Sequence, residues 1–168
     1  MLLTVATNTV NATLYENLKF DFLRDIAPVT CMAGTAYIMA VTPSLAANTG
    51  SEFIAYAKAN PGKINMASSG VGSASHVTGE LFKMMAGVDM THVPYRSNYL
   101  PDLLSGQVQV TFAPTPSVIG YIKQDQLRAL GVTSTGRLEL LPDVPAVTEF
   151  VPGYDRLVRF RGARRNTK

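Results

Sequence analysis

The sequence predicts an α/β protein with a largely parallel sheet, and three observations support this. Short runs of β-branched and apolar residues alternate with segments whose apolar residues recur at helical spacing. The connections are short and carry glycine, proline or serine, which end helices and form turns. The chain has 168 residues, 46% of them hydrophobic, which is enough for the core of one ordinary domain. Strands and helices that alternate in this way favour parallel strands joined by crossover helices.

Seven strands are predicted, each a short apolar or alternating run bounded by turn residues. The first is largely apolar on both faces, which is typical of a strand buried on both sides. The sixth alternates cleanly, with Val108, Val110 and Phe112 on one face. The predicted strands cover residues 2–7, 29–32, 37–42, 64–67, 91–94, 107–112 and 127–133.

Five helices are predicted between or after these strands. We expect Ser51 to cap the first, which Pro61 ends. The second has apolar residues at the spacing of one helical face, and we expect these to fill the core: Val77, Leu81, Met84 and Met85. Met66 is expected to fill the core as well. The predicted helices cover residues 52–59, 75–86, 100–105, 114–124 and 146–150.

Charge and cysteine content exclude several classes of function. Six of the fifteen basic residues lie at positions 156–168. The rest of the chain has nine basic residues and twelve acidic ones, so its net charge is negative. A nucleic-acid interface would therefore rest on the basic tail alone, and none is expected. One cysteine, Cys31, excludes an internal disulfide and a cysteine-rich metal site. His76 and His92 are sixteen positions apart and form no recognisable metal motif, so neither a metal nor a cofactor is expected.

The sequence shows no targeting or membrane-spanning pattern. Its first residues lack the basic region and the long apolar stretch of a secretory signal, so a cytoplasmic location is expected if the chain is made as given. No uninterrupted apolar run approaches the roughly 20 residues that cross a bilayer.

The serine–glycine loop, residues 68–73, is the most informative segment. It follows a buried strand and precedes a helix, so it should lie at the carboxyl edge of the sheet, where open α/β sheets bind ligands. Gly70 and Gly72 allow backbone amides to approach a ligand, and the helix N-terminus favours an anion. Hydroxyl groups are available from Ser68, Ser69, Ser73 and Ser75. A glycine-rich turn capped by serine, with no ligand, explains the spacing equally well.

An enzyme is the alternative from a different class. Ser73 or Ser69 could act as a nucleophile with His76 as its base, which would give a serine hydrolase-like site. However, the strained Gly-x-Ser-x-Gly elbow is absent, and no acid is placed by the sequence to orient the imidazole.

Tyr95 and Thr115 follow other predicted strands and could line the same cleft as the serine–glycine loop.

Six blocks in the right order resemble the Bug/TctC type of solute receptor of tripartite tricarboxylate transporters. The resemblance extends from about residue 3 to residue 154. The blocks are ASSGVGSASH at 67–76, GELFKMMAG at 79–87, HVPYR at 92–96, DLLSGQV at 102–108, LRALGVTS at 127–134 and LPDVP at 141–145.

The resemblance implies a type II periplasmic-binding-protein fold, in which two lobes close on a ligand like a Venus flytrap. Its members are periplasmic, and we expect a monomer that binds a small carboxylate, hands it to a membrane permease and catalyses no reaction. The expected ligand-binding residues are Thr7 and Asn8 from the first lobe, with Ser68, Ser69, Gly70, Gly72, Ser73, Ser75, His76 and Thr115 from the second.

The same resemblance divides the chain. Residues 1–32 are expected to be a remnant of the first lobe and its crossover, and residues 33–133 the second lobe. Residues 134–155 would begin the return to the first lobe, and residues 156–168 form an atypical basic tail. The resemblance therefore implies a receptor truncated at both ends, which we expect to bind its carboxylate weakly or not at all.

Overall fold

The computed structural model describes residues 36–154 continuously and, before them, residues 10, 14–15, 17–18 and 22–25. Phe22–Asp25 forms one helical turn. The strands predicted at residues 2–7 and 29–32 lie outside the described residues, as does the basic tail at 156–168. Within the described part of the chain, none of the helices is long and apolar enough to cross a membrane.

Five strands form one sheet, and four helices pack on its two faces. The strands are β1 (Tyr37–Val41), β2 (Asn65–Ser68), β3 (Thr91–Pro94), β4 (Val110–Pro114) and β5 (Arg128–Val132). The helices are α1 (Gly50–Ala59), α2 (Ala74–Ala86), α3 (Leu100–Ser105) and α4 (Thr115–Lys123). A 3₁₀ helix at Val147–Glu149 follows β5.

The sheet is mixed, with the strand order β3-β2-β4-β1-β5. β2 pairs in parallel with β3 and β4, whereas β1 lies antiparallel between β4 and β5. Four strands run in the same direction, but only two of the four pairings are parallel, so the prediction of a largely parallel sheet holds in part; β1, which runs the opposite way between β4 and β5, is the reason. The carboxyl ends of β2, β3, β4 and β5 meet at one edge of the sheet, which we call the carboxyl edge, and β1 begins there.

Local signals explain where the elements begin and end. Thr49, rather than Ser51, caps α1, because its side chain accepts a hydrogen bond from the Glu52 amide at 3.1 Å. Ser73 caps α2, and Gly87 ends it in the left-handed conformation with φ +62°. β4 begins three residues later than predicted, because the Val108 amide bonds to the Asp102 carbonyl and closes the turn after α3.

Alternation along the two central strands divides the core into two layers. Met39 and Phe112 face the layer covered by α1 and α2, while Ile38 and Ala113 face the layer covered by α3 and α4. The first layer also includes buried residues from the end of the described chain: Val147, Val151 and Tyr154.

The buried face of α2 agrees only in part with the predicted one: Leu81 and Met85 are half-buried and pack against the core, but they are not its most buried residues. Its buried residues are Ser75, Thr78, Gly79 and Phe82, and Met84 is 73% exposed. Gly79 brings the helix so close to β2 and β4 that a side chain there would collide with Met66. This approach turns Phe82 inward and Met84 outward. Met66 is fully buried, as predicted.

Phe82 gives a direct test of this packing. Its ring lies 6.0 Å from that of Phe53, 5.4 Å from Phe112 and 6.2 Å from Tyr154, measured between centroids. We expect Phe82→Ala to lower the free energy of unfolding by about 3–5 kcal/mol in urea titrations, because it leaves a cavity. Met84→Ala, on the same helix, should change it by less than about 0.5 kcal/mol. Equal losses in the two variants would contradict the observed helix orientation.

Candidate functional site

The serine–glycine loop connects β2 to α2 at the carboxyl edge, as predicted. Ser68 is the last residue of β2, and Ala74 is the first of α2. Tyr95 follows β3 at the same edge, and its amide bonds to the Ser68 carbonyl at 2.9 Å. Thr115 begins α4 directly after β4. The fold therefore brings the predicted loop and the β4–α4 junction to one edge of the sheet.

Hydrogen bonds within the loop fix its shape. Ser73 donates to the Gly70 carbonyl through both its hydroxyl, at 2.7 Å, and its backbone amide, at 3.2 Å. The Gly70 amide in turn donates to Ser68 Oγ at 3.2 Å. Gly70 and Gly72 have φ values of +110° and +77°, which other residues adopt only under strain. The loop is therefore held in one conformation without a ligand.

The hydroxyl groups of Ser73 and Ser75 serve this internal network. Because the Ser73 proton is directed to Gly70, Ser75 Oγ donates to Ser73 Oγ across their 3.0 Å contact. Ser75 Oγ also accepts from the Ser69 amide at 3.1 Å, and Ser75 is buried. Ser69 is exposed, and its hydroxyl has no partner among the residues described. Of these three serines, Ser69 is the one whose hydroxyl is open to a ligand.

Three backbone amides at the start of α2 have no acceptor within the described part of the chain: Val71, Ala74 and Ser75. Ala74 and Ser75 occupy the first two helical positions, whose amides never bond within a helix. The next amide, of His76, is capped by Ser73 Oγ at 3.3 Å. Free N–H groups at the positive end of a helix dipole form a site for an anion.

Two histidine rings support the loop from one side. His76 and His92 stack with centroids 4.0 Å apart and planes at 27°. His76 Nδ1 accepts from the Gly72 amide at 3.1 Å, and His92 Nε2 lies 2.6 Å from Ser68 Oγ. Burial and the neighbouring His76 lower the pKa of His92, with a smaller contribution from Lys83 opposed by Glu80. His92 was not predicted to be a site residue, although its position on β3 was predicted correctly.

The arrangement does not favour the serine–histidine pair of the alternative, enzymatic interpretation. Ser73 Oγ accepts a hydrogen bond from the backbone amide of His76 and does not contact its ring. Nδ1 of that ring accepts a hydrogen bond from the Gly72 amide. The one close contact between a serine hydroxyl and an imidazole in the described loop is that of Ser68 with His92, and Ser68 is fully buried. A substrate could not reach that hydroxyl, so the serine hydrolase alternative gains no support.

The other candidates have structural partners or are not described. Thr115 is 8% exposed, and its hydroxyl donates to the Ala36 carbonyl at 2.8 Å. Tyr95 donates to Asp102 Oδ2 at 2.6 Å, and this hydrogen bond raises the pKa of Tyr95 to about 12. Thr7 and Asn8 lie outside the described residues. Among the residues described, no cluster of histidine, cysteine and acidic side chains could hold a metal.

Known proteins match both the sequence and this fold. The sequence model for "Tripartite tricarboxylate transporter family receptor" matches residues 1–160. Protein BugT of Bordetella pertussis is 30% identical over 151 residues, which is 89% of this chain and 46% of that protein. The chain thus spans about half the length of the curated relatives it matches.

Solved structures agree with this assignment. R. palustris Rpa4515, determined with adipate, is 33% identical, with a TM-score of 0.78 over 84% of this chain and 48% of that one. MatC of Rhodopseudomonas palustris, with bound malate, shares the fold at 24% identity, with a TM-score of 0.80 over 89% of this chain and 52% of that one. The mixed sheet, the order of the matched blocks and the family match lead to one conclusion. The chain belongs to the tripartite tricarboxylate transporter receptor family.

Proposed function

We propose that the chain acts as an extracytoplasmic solute receptor, which binds a small carboxylate in the periplasm as a monomer and presents it to a membrane permease. The observation that supports this best is a set of three amides without an acceptor among the described residues: that of Val71 in the loop and those of Ala74 and Ser75 at the start of α2. These groups donate hydrogen bonds and accept none. They therefore suit a ligand that has only acceptor atoms.

The chemistry of the loop favours a carboxylate over a neutral ligand. A hydrogen bond to an ionised group contributes about 1.5–3 kcal/mol, roughly twice the value for a neutral one. The helix dipole adds about 0.3–1 kcal/mol for a negative charge at its N-terminus. The exposed hydroxyl of Ser69 can donate one further bond. Because the loop is already ordered, little conformational entropy is lost when the ligand binds.

A dicarboxylate is the ligand class that the relatives favour. Rpa4515 is described with adipate and MatC with malate, and both molecules carry two carboxylates. We propose that residues 33–133 are one lobe of such a receptor and hold one carboxylate through the serine–glycine loop. Thr7 and Asn8 would meet the ligand from the other lobe. Closure of two lobes then stabilises the bound state, because the ligand bridges them.

Titration of the 168-residue chain with adipate and malate tests the proposal. We expect weak binding, with a dissociation constant on the order of 1 mM, because the chain spans about half the length of its relatives and so supplies only part of their contacts. In ¹H–¹⁵N spectra the amide signals of Val71, Ala74 and Ser75 should shift together. The neutral diamide of adipate should leave them unchanged. If none of the three signals moves at roughly 10 mM dicarboxylate, the proposed site is wrong.

Ala74→Pro removes one of the proposed donors without disturbing the helix. Proline is favoured at the first helical position, and Ser73 before it already has the extended ψ of 159° that proline requires. We expect adipate affinity to fall about 10- to 100-fold, while the free energy of unfolding changes by less than about 0.5 kcal/mol. The matched control, Ala74→Ser, adds a side chain and keeps the amide, so it should bind adipate like the wild type. Unchanged affinity in Ala74→Pro would show that this amide does not contact the ligand.

Ser73→Ala, compared with a cap variant elsewhere, distinguishes a direct effect on ligand binding from a general loss of stability. It removes the cap of α2 together with the hydroxyl bond to Gly70, so we expect a loss of about 1–2 kcal/mol in stability and a clear loss of adipate affinity. Thr49→Ala removes the cap of α1 and should cost about 1 kcal/mol in stability, with no effect on binding. Calorimetry and urea unfolding on both variants measure the two effects. If Thr49→Ala weakens binding as much as Ser73→Ala, the loss reflects stability alone.

A further inference from the structure

The stacked histidines hold the serine–glycine loop at two points. His92, on β3, contacts Ser68 at the beginning of the loop. His76, on α2, accepts a hydrogen bond from the amide of Gly72 near its end. Gly72 is buried. The loop is therefore tied by hydrogen bonds to both rings.

The contact at His76 requires a neutral ring. Since the Gly72 amide donates to Nδ1, that nitrogen carries no proton, and the single ring proton is on Nε2. Nε2 points toward Glu80, whose Oε1 lies 3.9 Å away. A second proton would have to go on Nδ1, where it would face the Gly72 N–H. Protonation of His76 would thus replace a hydrogen bond by two opposed donors.

The contact at His92 tolerates either state. When the ring is neutral, Ser68 Oγ donates to Nε2 across 2.6 Å. When the ring is charged, Nε2 can donate to Ser68 Oγ, and the Ser68 proton can turn to the Gly70 carbonyl 3.2 Å away. The hydroxyl group reverses its role without moving its oxygen. His76 is therefore the ring whose charge the loop cannot accommodate.

Several charged groups lie around the pair of rings. Two imidazolium rings stacked at 4.0 Å would repel each other, so we expect the pair to hold one proton before two. Glu80 is beside His76 and is also paired with Lys83, at 3.1 Å. Burial and His76 lower the pKa of His92, Glu80 raises it, and Lys83 lowers it by less than either of these neighbours changes it. Tyr95, which follows β3, is engaged with Asp102.

We propose that His76 is a positioning residue for the carboxylate site, whose neutral ring holds Gly72 and the serine–glycine loop in the shape that binds the ligand. Protonation of His76 releases the Gly72 amide, rearranges the loop and weakens ligand binding. This inference rests on the proposed carboxylate site. Ligand affinity should therefore fall as the pH falls. Simple electrostatic attraction predicts the opposite, because a charged imidazole near the loop would strengthen the binding of an anion.

The first experiment needs no ligand. In the 168-residue chain, ¹H–¹⁵N spectra of the Gly72 amide and of the His76 ring are recorded from pH 7.5 to pH 5.5, a range that spans the ordinary histidine pKa of about 6.5. We expect the Gly72 signal to follow the His76 titration. His76→Asn places an amide oxygen where Nδ1 was and does not titrate, so it should keep Gly72 in its neutral-pH position throughout. A Gly72 signal that stays constant while His76 titrates would overturn the proposal.

The second experiment measures adipate affinity over the same pH range. Wild-type affinity should fall as the pH falls, by at most tenfold per pH unit because one proton is linked. Whatever its affinity at pH 7.5, His76→Asn should show only the pH dependence of adipate itself. His76→Gln carries its amide at the position of Nε2, so it should bind weakly at every pH. His92→Gln keeps a hydrogen-bonding group at Nε2 and should retain the wild-type fall.

The outcomes separate this inference from the proposed function. Wild-type affinity that rises at low pH, or the same profile in His76→Asn, would overturn the role of His76. If Gly72 follows the His76 titration but adipate and malate bind at no pH, the coupling within the loop stands and the carboxylate proposal fails.

Discussion

The carbonyl oxygen of Gly70 is the point on which the geometry of the site depends. Ser73 donates to it through both its hydroxyl and its amide, which closes the loop and leaves Ser73 Oγ in place to cap α2. One residue thus ends the turn and begins the helix. Because the capped amide is that of His76, the two amides before it remain free. The left-handed conformations of Gly70 and Gly72 are the backbone cost of this arrangement.

Much of the site could be predicted from the sequence, because strand, glycine-rich loop and helix follow one another directly in the chain. The sequence does not show which serine hydroxyls form hydrogen bonds within the loop. Three serines, Ser69, Ser73 and Ser75, are equivalent in the sequence. In the structure Ser75 is buried and Ser73 donates to Gly70, so among these three only Ser69 has an exposed hydroxyl without a partner in the described residues. His92 was missed for a related reason. It reaches Ser68 across the sheet, 24 positions away in sequence, through a strand pairing that periodicity does not encode.

The fold was predicted best where local signals act alone. β3 and α3 have their predicted bounds, since Pro94 and Gly106 end them. Apolar spacing on α2 correctly placed Leu81 and Met85 against the core and wrongly placed Met84 there, because the close approach of Gly79 to Met66 determines the rotation of the helix. The direction of β1 could not be predicted either. The alternation of side chains along a strand is the same in both directions, and the partners of β1, which are β4 and β5, come much later in the chain.

That central antiparallel strand has a consequence for how the chain is made. β1 pairs with residues that follow it by about seventy to ninety positions, Tyr37 with Pro114 on one side and Ile38 with Val132 on the other. During synthesis, its backbone N–H and C=O groups have no strand beside them until most of the lobe has been translated. Contacts this far apart slow folding, and an apolar strand with two open edges can join another chain. The nascent protein therefore has a long interval in which a strand that ends in the core exposes both of its edges to other chains.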